Sequence, residues 1–187
     1  EAEKNSGSVT LTLTSSLNGL CNPVSDNITI TFTPSPVVSA GADQSKCANN
    51  PDVLLSGSVT VASGGIWTGG SGTFNPSNTA LNAIYSPSVA EIINGSVSLT
   101  LTSTGNGTCS TVADEMTINF TTAPTVNANS DQIKCSNNPN TTLDGSISLA
   151  TGGIWTGGVG LFSPSNTAMN AVYTPTAGEI EIGRAHV

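Results

Sequence analysis

Four cysteines are the most reactive side chains in this 187-residue chain, and their spacing limits what they could do. Cys21 and Cys109 lie 88 residues apart (109 − 21), and so do Cys47 and Cys135 (135 − 47). No Cys-x-x-Cys occurs and no histidine accompanies them, so neither a zinc site nor thiol catalysis is expected. One early and one late cysteine at a fixed offset suggest structural disulfides made in an oxidising compartment. A Cys47–Cys109 bridge is the preferred pairing, because it would let one unit fold alone. Its loop of 62 residues (109 − 47) would contribute about 4 kcal/mol in the chain-entropy model. Cys21–Cys47 and Cys109–Cys135 bridges would instead staple neighbouring units.

The two tryptophans sit in identical strings, Gly64-Gly65-Ile66-Trp67-Thr68-Gly69-Gly70 and its copy around Trp155. An indole on an open, glycine-rich surface can stack on a sugar ring, which makes Trp67 and Trp155 candidates for glycan contact. Aromatics are only 4% of the chain, however, so Trp67, Phe74 and Tyr85 are needed to fill a core, and the core role is preferred. Asp26, Asp43, Asp114 and Asp131 recur at the same offset and are the candidate Ca2+ ligands near unit junctions. They form no Asp-x-Asp-x-Asp cluster, and isolated aspartates suit turns and caps. Glu91 and Glu179 belong to different units and are expected to cap or face solvent, since a catalytic pair must converge in one cleft. No Gly-x-Ser-x-Gly occurs, and the glycine-rich strings lack the strand-to-helix setting of a phosphate cradle. No catalytic residue is assigned and the chain is not expected to be an enzyme.

The offset extends well beyond these residues. Phe74 matches Phe162, Tyr85 matches Tyr173, Phe32 matches Phe120, and Val38–Ile92 agrees with Val126–Ile180 at roughly 33 of 55 positions. A period of about 88 residues is the signature of a tandem array. In that register residues 1–36 are the back part of one repeat, 37–124 a complete repeat and 125–180 the front part of a third. The match then stops. Glu181-Ile182-Gly183-Arg184-Ala185-His186-Val187 resembles a translated sequencing adapter, so its histidine and arginine are given no role.

The charge balance narrows the partners. Four basic and twelve acidic residues give a formal charge of −8. Such a surface repels phosphate backbones and lacks the basic clusters that attract anionic lipid, so nucleic acid is excluded as a partner. No apolar run approaches the ~20 residues of a membrane helix, so direct membrane insertion is not expected. Only 9% of residues are charged, with Ser, Thr, Asn and Gly filling the surface, as in secreted proteins.

Strict alternation must position all of these groups. Val97, Leu99 and Leu101 alternate with Ser and Thr, as do Val9, Leu11 and Leu13; Ile118 and Phe120 do the same, as do Ile28, Ile30 and Phe32. These are half-buried strands. Thr104-Gly105-Asn106-Gly107 turns the chain, so 96–121 is expected to form a hairpin whose loop carries Cys109. Val53, Leu55, Val59 and Val61 are expected to share a face. Ser86-Pro87 is expected to open a short helical turn that ends at Asn94-Gly95. The expectation is an all-β chain of tandem antiparallel β-sandwich repeats.

Ala40-Gly41-Ala42-Asp43-Gln44, Trp67-Thr68-Gly69-Gly70, Tyr85 and Val97-Ser98-Leu99-Thr100-Leu101-Thr102, in that order, resemble the PKD-like, immunoglobulin-type repeats of large bacterial adhesin-type and gliding-motility-associated surface proteins. The resemblance covers essentially residues 1–180. Trp67-Thr68-Gly69-Gly70-Ser71-Gly72 stands where that family typically has Trp-Asp-Phe-Gly-Asp-Gly, so both acidic positions are missing. The resemblance implies an extracellular, bacterial cell-surface stalk or spacer with an adhesive role, meeting surface glycans or other surface proteins. A carbohydrate-binding module, carried as the appendage of a secreted enzyme, is the alternative. Because residues 1–36 hold the hairpin that 125–180 lack, two chains are expected to be able to join head to tail by strand complementation.

Overall fold

In the computed structural model, residues 7–181 are described; Glu3, Lys4 and nearly all of the adapter-like tail lie outside them. The described residues form short strands and two short helices, of six and four residues. β1 (Ser8–Thr14) and β2 (Ser25–Thr31) come first. The middle repeat follows with β3 (Val37–Ser39), β4 (Gln44–Cys47), β5 (Val53–Leu54), β6 (Ser58–Thr60), β7 (Gly64–Thr68), β8 (Thr73–Asn75), β9 (Ile84–Ser86), α1 (Val89–Asn94), β10 (Ser96–Thr104) and β11 (Ala113–Thr121). The last part holds β12 (Thr125–Asn127), β13 (Thr141–Thr142), β14 (Ser146–Ser148), β15 (Leu161–Ser163), β16 (Val172–Thr174) and α2 (Ala177–Ile180). Two compact units emerge, Glu1–Lys46 with Asn50–Phe120, and Cys47–Asn49 with Thr121–Val187.

The middle repeat is a β-sandwich. One sheet runs β4-β11-β10-β7; against it lie β5-β9-β8 and the β3-β6 pair. β10 and β11 form the expected hairpin, antiparallel from Ser96↔Asn119 to Thr102↔Ala113. β10 also pairs with β7, setting Leu101 opposite Trp67. Alternation decides which side chains enter the core: Val97, Leu99 and Leu101 from β10 and Met116 and Ile118 from β11 point inward, where they meet Trp67, Tyr85, Val53 and Leu55. The expected shared face ends early. Val61 is exposed with φ 70°, because the chain turns there toward β7.

The first strands of this repeat run alongside its last. The Ala40 N–H donates to Asp114 Oδ2 (2.8 Å), the Thr117 N–H to Asp43 Oδ1 (2.8 Å) and the Ala48 N–H to the Thr121 carbonyl (2.8 Å). Residue numbers rise together along these contacts, so β4 lies parallel to β11. The chain therefore enters the sandwich at the Ala113 end of β11 and leaves at the Thr121 end. Those ends are ~30 Å apart at the usual strand rise.

That geometry corrects the preferred disulfide. Cys47 closes β4 beside Thr121, whereas Cys109 lies in the loop beyond Ala113, at the other end of the same sheet. A bridge requires Cα atoms within about 7 Å. All four cysteines are free thiols, Cys21 and Cys135 exposed and Cys47 and Cys109 half-buried.

The helical turn begins later than expected. Ser88 is its N-cap and Pro87 precedes the cap, while Gly95 ends it in the left-handed conformation. Ser88 prevails because Glu91 stands three residues on and completes a capping box, which Ser86 could not do.

Candidate functional site

Two constellations recur in the middle repeat and in 125–180. The first is built on Tyr85 and Glu91. Tyr85 is carried into the core by β9 and Glu91 is presented by α1. The Tyr85 hydroxyl donates to Glu91 Oε1 (2.8 Å) and accepts from the Gly72 N–H (2.9 Å). Glu91 also accepts from the Ser71 N–H (2.7 Å), the Ser88 N–H (2.7 Å) and the Ser88 hydroxyl (2.9 Å). A carboxylate only 7% exposed is thus fully provided with donors, which is what permits its burial. Gly70, at φ 67°, turns the chain directly over the phenol; a Cβ there would overlap the Tyr85 oxygen. Tyr85 stacks on Phe74 at 4.8 Å between ring centroids.

Electrostatics follow from the contacts. Burial, then the hydrogen bond to Glu91, pushes the Tyr85 phenol up to about 12. Burial works against the Glu91 carboxylate, but the Ser71, Ser88 and Tyr85 donors outweigh it and hold the carboxyl below its ordinary value. Tyr173 and Glu179 reproduce the arrangement on the surface: the Tyr173 hydroxyl donates to Glu179 Oε1 at 2.6 Å. There the hydrogen bond from Tyr173, ahead of those from Thr176 and Val159, brings Glu179 down to about 2. The set is a latch that ties the glycine-rich turn to the helix. Nothing in it offers a free base or nucleophile. The Ser88-x-x-Glu91 spacing is the signal that marks the capping box, in place of the Ser86-Pro87 start expected from the sequence; the partnership with Tyr85 has no such signal, since it depends on β9 and α1 meeting in space.

The second constellation surrounds the tryptophans. Trp67 is 0% exposed, so it presents no face to a sugar, and the glycan-contact expectation fails at this residue. Gly57 makes the enclosure achievable: a Cβ there would lie 2.7 Å from both the indole Cζ2 and Leu101 Cδ2. Trp155 is only half-buried. Its indole N–H donates to the Ala168 carbonyl (3.0 Å), whereas the buried Trp67 N–H finds no acceptor. A hollow beside Trp155 is lined by Val126, Gly145, Ile147, Gly153 and Met169, and a second by Leu143, Phe162, Tyr173 and Glu179.

The candidate calcium ligands do not converge. Asp43 and Asp114 each accept a separate backbone N–H, as described above, and Asp26 Oδ1 accepts from the Asn27 N–H (2.8 Å). Asp131 is exposed. Among the described residues no three His, Cys, Asp or Glu side chains gather as a metal site would need. No helix among them is long and apolar enough to cross a membrane.

No family model matches the chain, and no curated protein does. Among solved structures it is similar to protocadherin gamma B7 extracellular cadherin domains 1–4, at 12% identity and a TM-score of 0.39, over 93% of this chain and 50% of that one. It is similar also to the protocadherin gamma B7 EC3–6 cis-dimer structure, at 14% identity and a TM-score of 0.38, over 98% of this chain and 54% of that one. The chain thus spans about half the length of either. At these scores the likeness says nothing of ligand or partner.

Proposed function

We propose that the chain is a piece of an extracellular stalk or spacer of adhesive type, built from repeats bounded at 36/37 and 124/125. The PKD-like resemblance extends this to a large bacterial adhesin-type or gliding-motility-associated surface protein. One observation carries the stalk role: β4 lies parallel to β11, with entry and exit at opposite ends of the sandwich. Tension along the chain then loads the hydrogen bonds between β4 and β11 in shear, so that several must fail together. The Tyr85–Glu91 latch and the capped helix α1 hold the linking segment that precedes β10. Thr33-Pro34-Ser35-Pro36 restricts bending before the repeat, since each Pro fixes its own φ and restricts the residue before it. Repetition adds avidity to any weak contact each unit makes with a neighbouring surface.

A glycan-binding role gains support only from the half-buried Trp155; in the complete repeat the equivalent indole is enclosed. Single-molecule pulling on the chain by its ends tests the proposal. The middle repeat should give one discrete force peak, with a contour gain of ~250 Å for some 85 residues released at ~3.4 Å each, less the folded span. Gradual extension without a peak would count against a load-bearing unit. Quenching of Trp155 emission by a polysaccharide, lost in Trp155→Phe, would favour the glycan role.

A further inference from the structure

We propose that Asn106-Gly107, in the loop of the β10–β11 hairpin, is a self-modifying site: the Gly107 nitrogen closes on the Asn106 side chain, and the aspartate that results opens the loop and uncovers Cys109. The loop is built around Ser103 and Asn106. Ser103 is 1% exposed; its N–H donates to the Val112 carbonyl (2.8 Å) and its hydroxyl accepts from the Val112 N–H (2.9 Å). Asn106 Nδ2 donates to the Ser103 carbonyl (3.3 Å), and the Asn106 carbonyl accepts from the Cys109 N–H (3.0 Å). Cys109 Sγ in turn lies 3.4 Å from Thr33 Oγ1 and 3.4 Å from the Pro34 carbonyl. One amide side chain thus holds the turn that seats the thiol.

Two features make this amide vulnerable. Its Oδ1 is buried without a hydrogen-bond partner among the described residues, so the group is held by one long bond. The next residue is glycine, which has no Cβ to crowd the approach of its nitrogen to Asn106 Cγ. The Gly107 N–H donates to no group among the described residues, so attack breaks no bond of the fold. Gly107 is exposed, and nothing lies within 4 Å of where its Cβ would stand, so water reaches the linkage. Asn94-Gly95 is the same dipeptide under restraint. Asn94 is the last residue of α1, and the Gly95 N–H donates to the Glu91 carbonyl (3.1 Å) and the Ile92 carbonyl (3.2 Å). Attack by that nitrogen must first break the helix cap.

In the first step the Gly107 nitrogen bonds to Asn106 Cγ, the Cγ–Nδ2 bond breaks, and ammonia leaves carrying the former Gly107 amide proton. Water then opens the cyclic imide at either carbonyl, giving aspartate or isoaspartate; nothing is oxidised or reduced. The new carboxylate has the charge of Glu91 without its surroundings. Glu91 is buried with donors from Ser71, Ser88 and Tyr85. The Asn106 Oδ1 position has none, so a carboxylate there must move out to water. The Ser103 carbonyl loses its donor, the turn to Cys109 loses its anchor, and the escape of ammonia makes the change one-way. Asn18-Gly19 sits in a loop with the same bonds, Asn18 Nδ2 to the Ser15 carbonyl (3.3 Å) and the Cys21 N–H to the Asn18 carbonyl (3.1 Å), and undergoes the same conversion.

Peptide mapping by mass spectrometry tests this on the whole reduced chain held at mildly alkaline pH. Asn106 and Asn18 should gain the mass of an amide-to-acid exchange, as aspartate and isoaspartate, about tenfold faster than Asn94, whose glycine nitrogen must first give up a hydrogen bond. Iodoacetamide should label Cys109 severalfold faster in converted chain than in fresh chain, and Asn106→Asp should show the fast labelling from the outset. Circular dichroism reports that the sandwich stays folded in both. No conversion at Asn106, conversion of Asn94 at an equal or greater rate, or Cys109 labelling that conversion leaves unchanged would each overturn the proposal.

Discussion

The middle repeat and residues 125–180 present the same sequence pattern in two states of completion. Gly64–Thr68 is a strand paired with β10, and its indole is enclosed; Gly152–Thr156, the same five residues, is irregular, and its indole is half open. The difference does not arise from local propensity, because the residues are identical. It arises from the presence of a hairpin that supplies both hydrogen-bond partners and an apolar lid. Secondary structure here is a product of tertiary pairing, as β propensity generally is. The Tyr–Glu latch, by contrast, survives in both regions, since its partners lie within about twenty residues of each other and need no hairpin.

The largest expected effect breaks the comparison at its centre. Trp67→Ala should destabilise the middle repeat by about 3–5 kcal/mol, whereas Trp155→Ala, which vacates a partly open site, should cost clearly less. Urea unfolding of dilute, reduced chain, followed by circular dichroism, measures both. Equal losses would mean that completion by the hairpin contributes little.

The latch gives the next effect. Glu91→Gln removes a buried ionic acceptor and should cost about 1.5–3 kcal/mol. Glu179→Gln, at the surface, should leave unfolding of the middle repeat unchanged. The pH dependence follows from the directions of the shifts. Glu91 is held below its ordinary value, so its contribution is present above the ordinary carboxylate range and is lost as pH falls through the lowered value. Tyr85 is raised from 10 to about 12, so its contribution is intact below 10 and is lost as pH climbs through 12. Tyrosinate absorbance should therefore show one phenol ionising near 12, and Glu91→Gln should lower it, because a negative neighbour has been removed. A Tyr85 phenol that titrates at 10 in the folded chain, identified by its loss in Tyr85→Phe, would refute the buried latch.

The smallest effect sharpens the comparison at the helices. Ser88→Ala should cost about 1 kcal/mol through the lost cap. Thr176→Ala should cost less, because α2 is a shorter turn whose threonine caps without a backbone N–H bond to its side chain. Thermal unfolding of the two variants would separate them.

Much of the fold was legible in advance. Alternating Leu and Ile positions marked β1, β2, β10 and β11, and Gly105 and Gly107 marked the hairpin turn between the last two. Less of the site was legible. Cys47 and Cys109 looked like partners because they share one repeat, yet β4 and the hairpin loop place them at opposite ends of one sheet. Asp43 and Asp114 looked like isolated carboxylates, and each proves to hold a backbone N–H across the β4–β11 seam.

Repetition and alternation are properties of the linear chain. They determined the period, the all-β class and which faces are apolar, because side-chain direction in a strand depends only on residue parity. Parity does not say which apolar face meets which. The parallel β4–β11 seam, the enclosure of Trp67 and the exposure of its copy at Trp155 were decided only when distant strands found, or failed to find, partners for their backbone groups and their leucines.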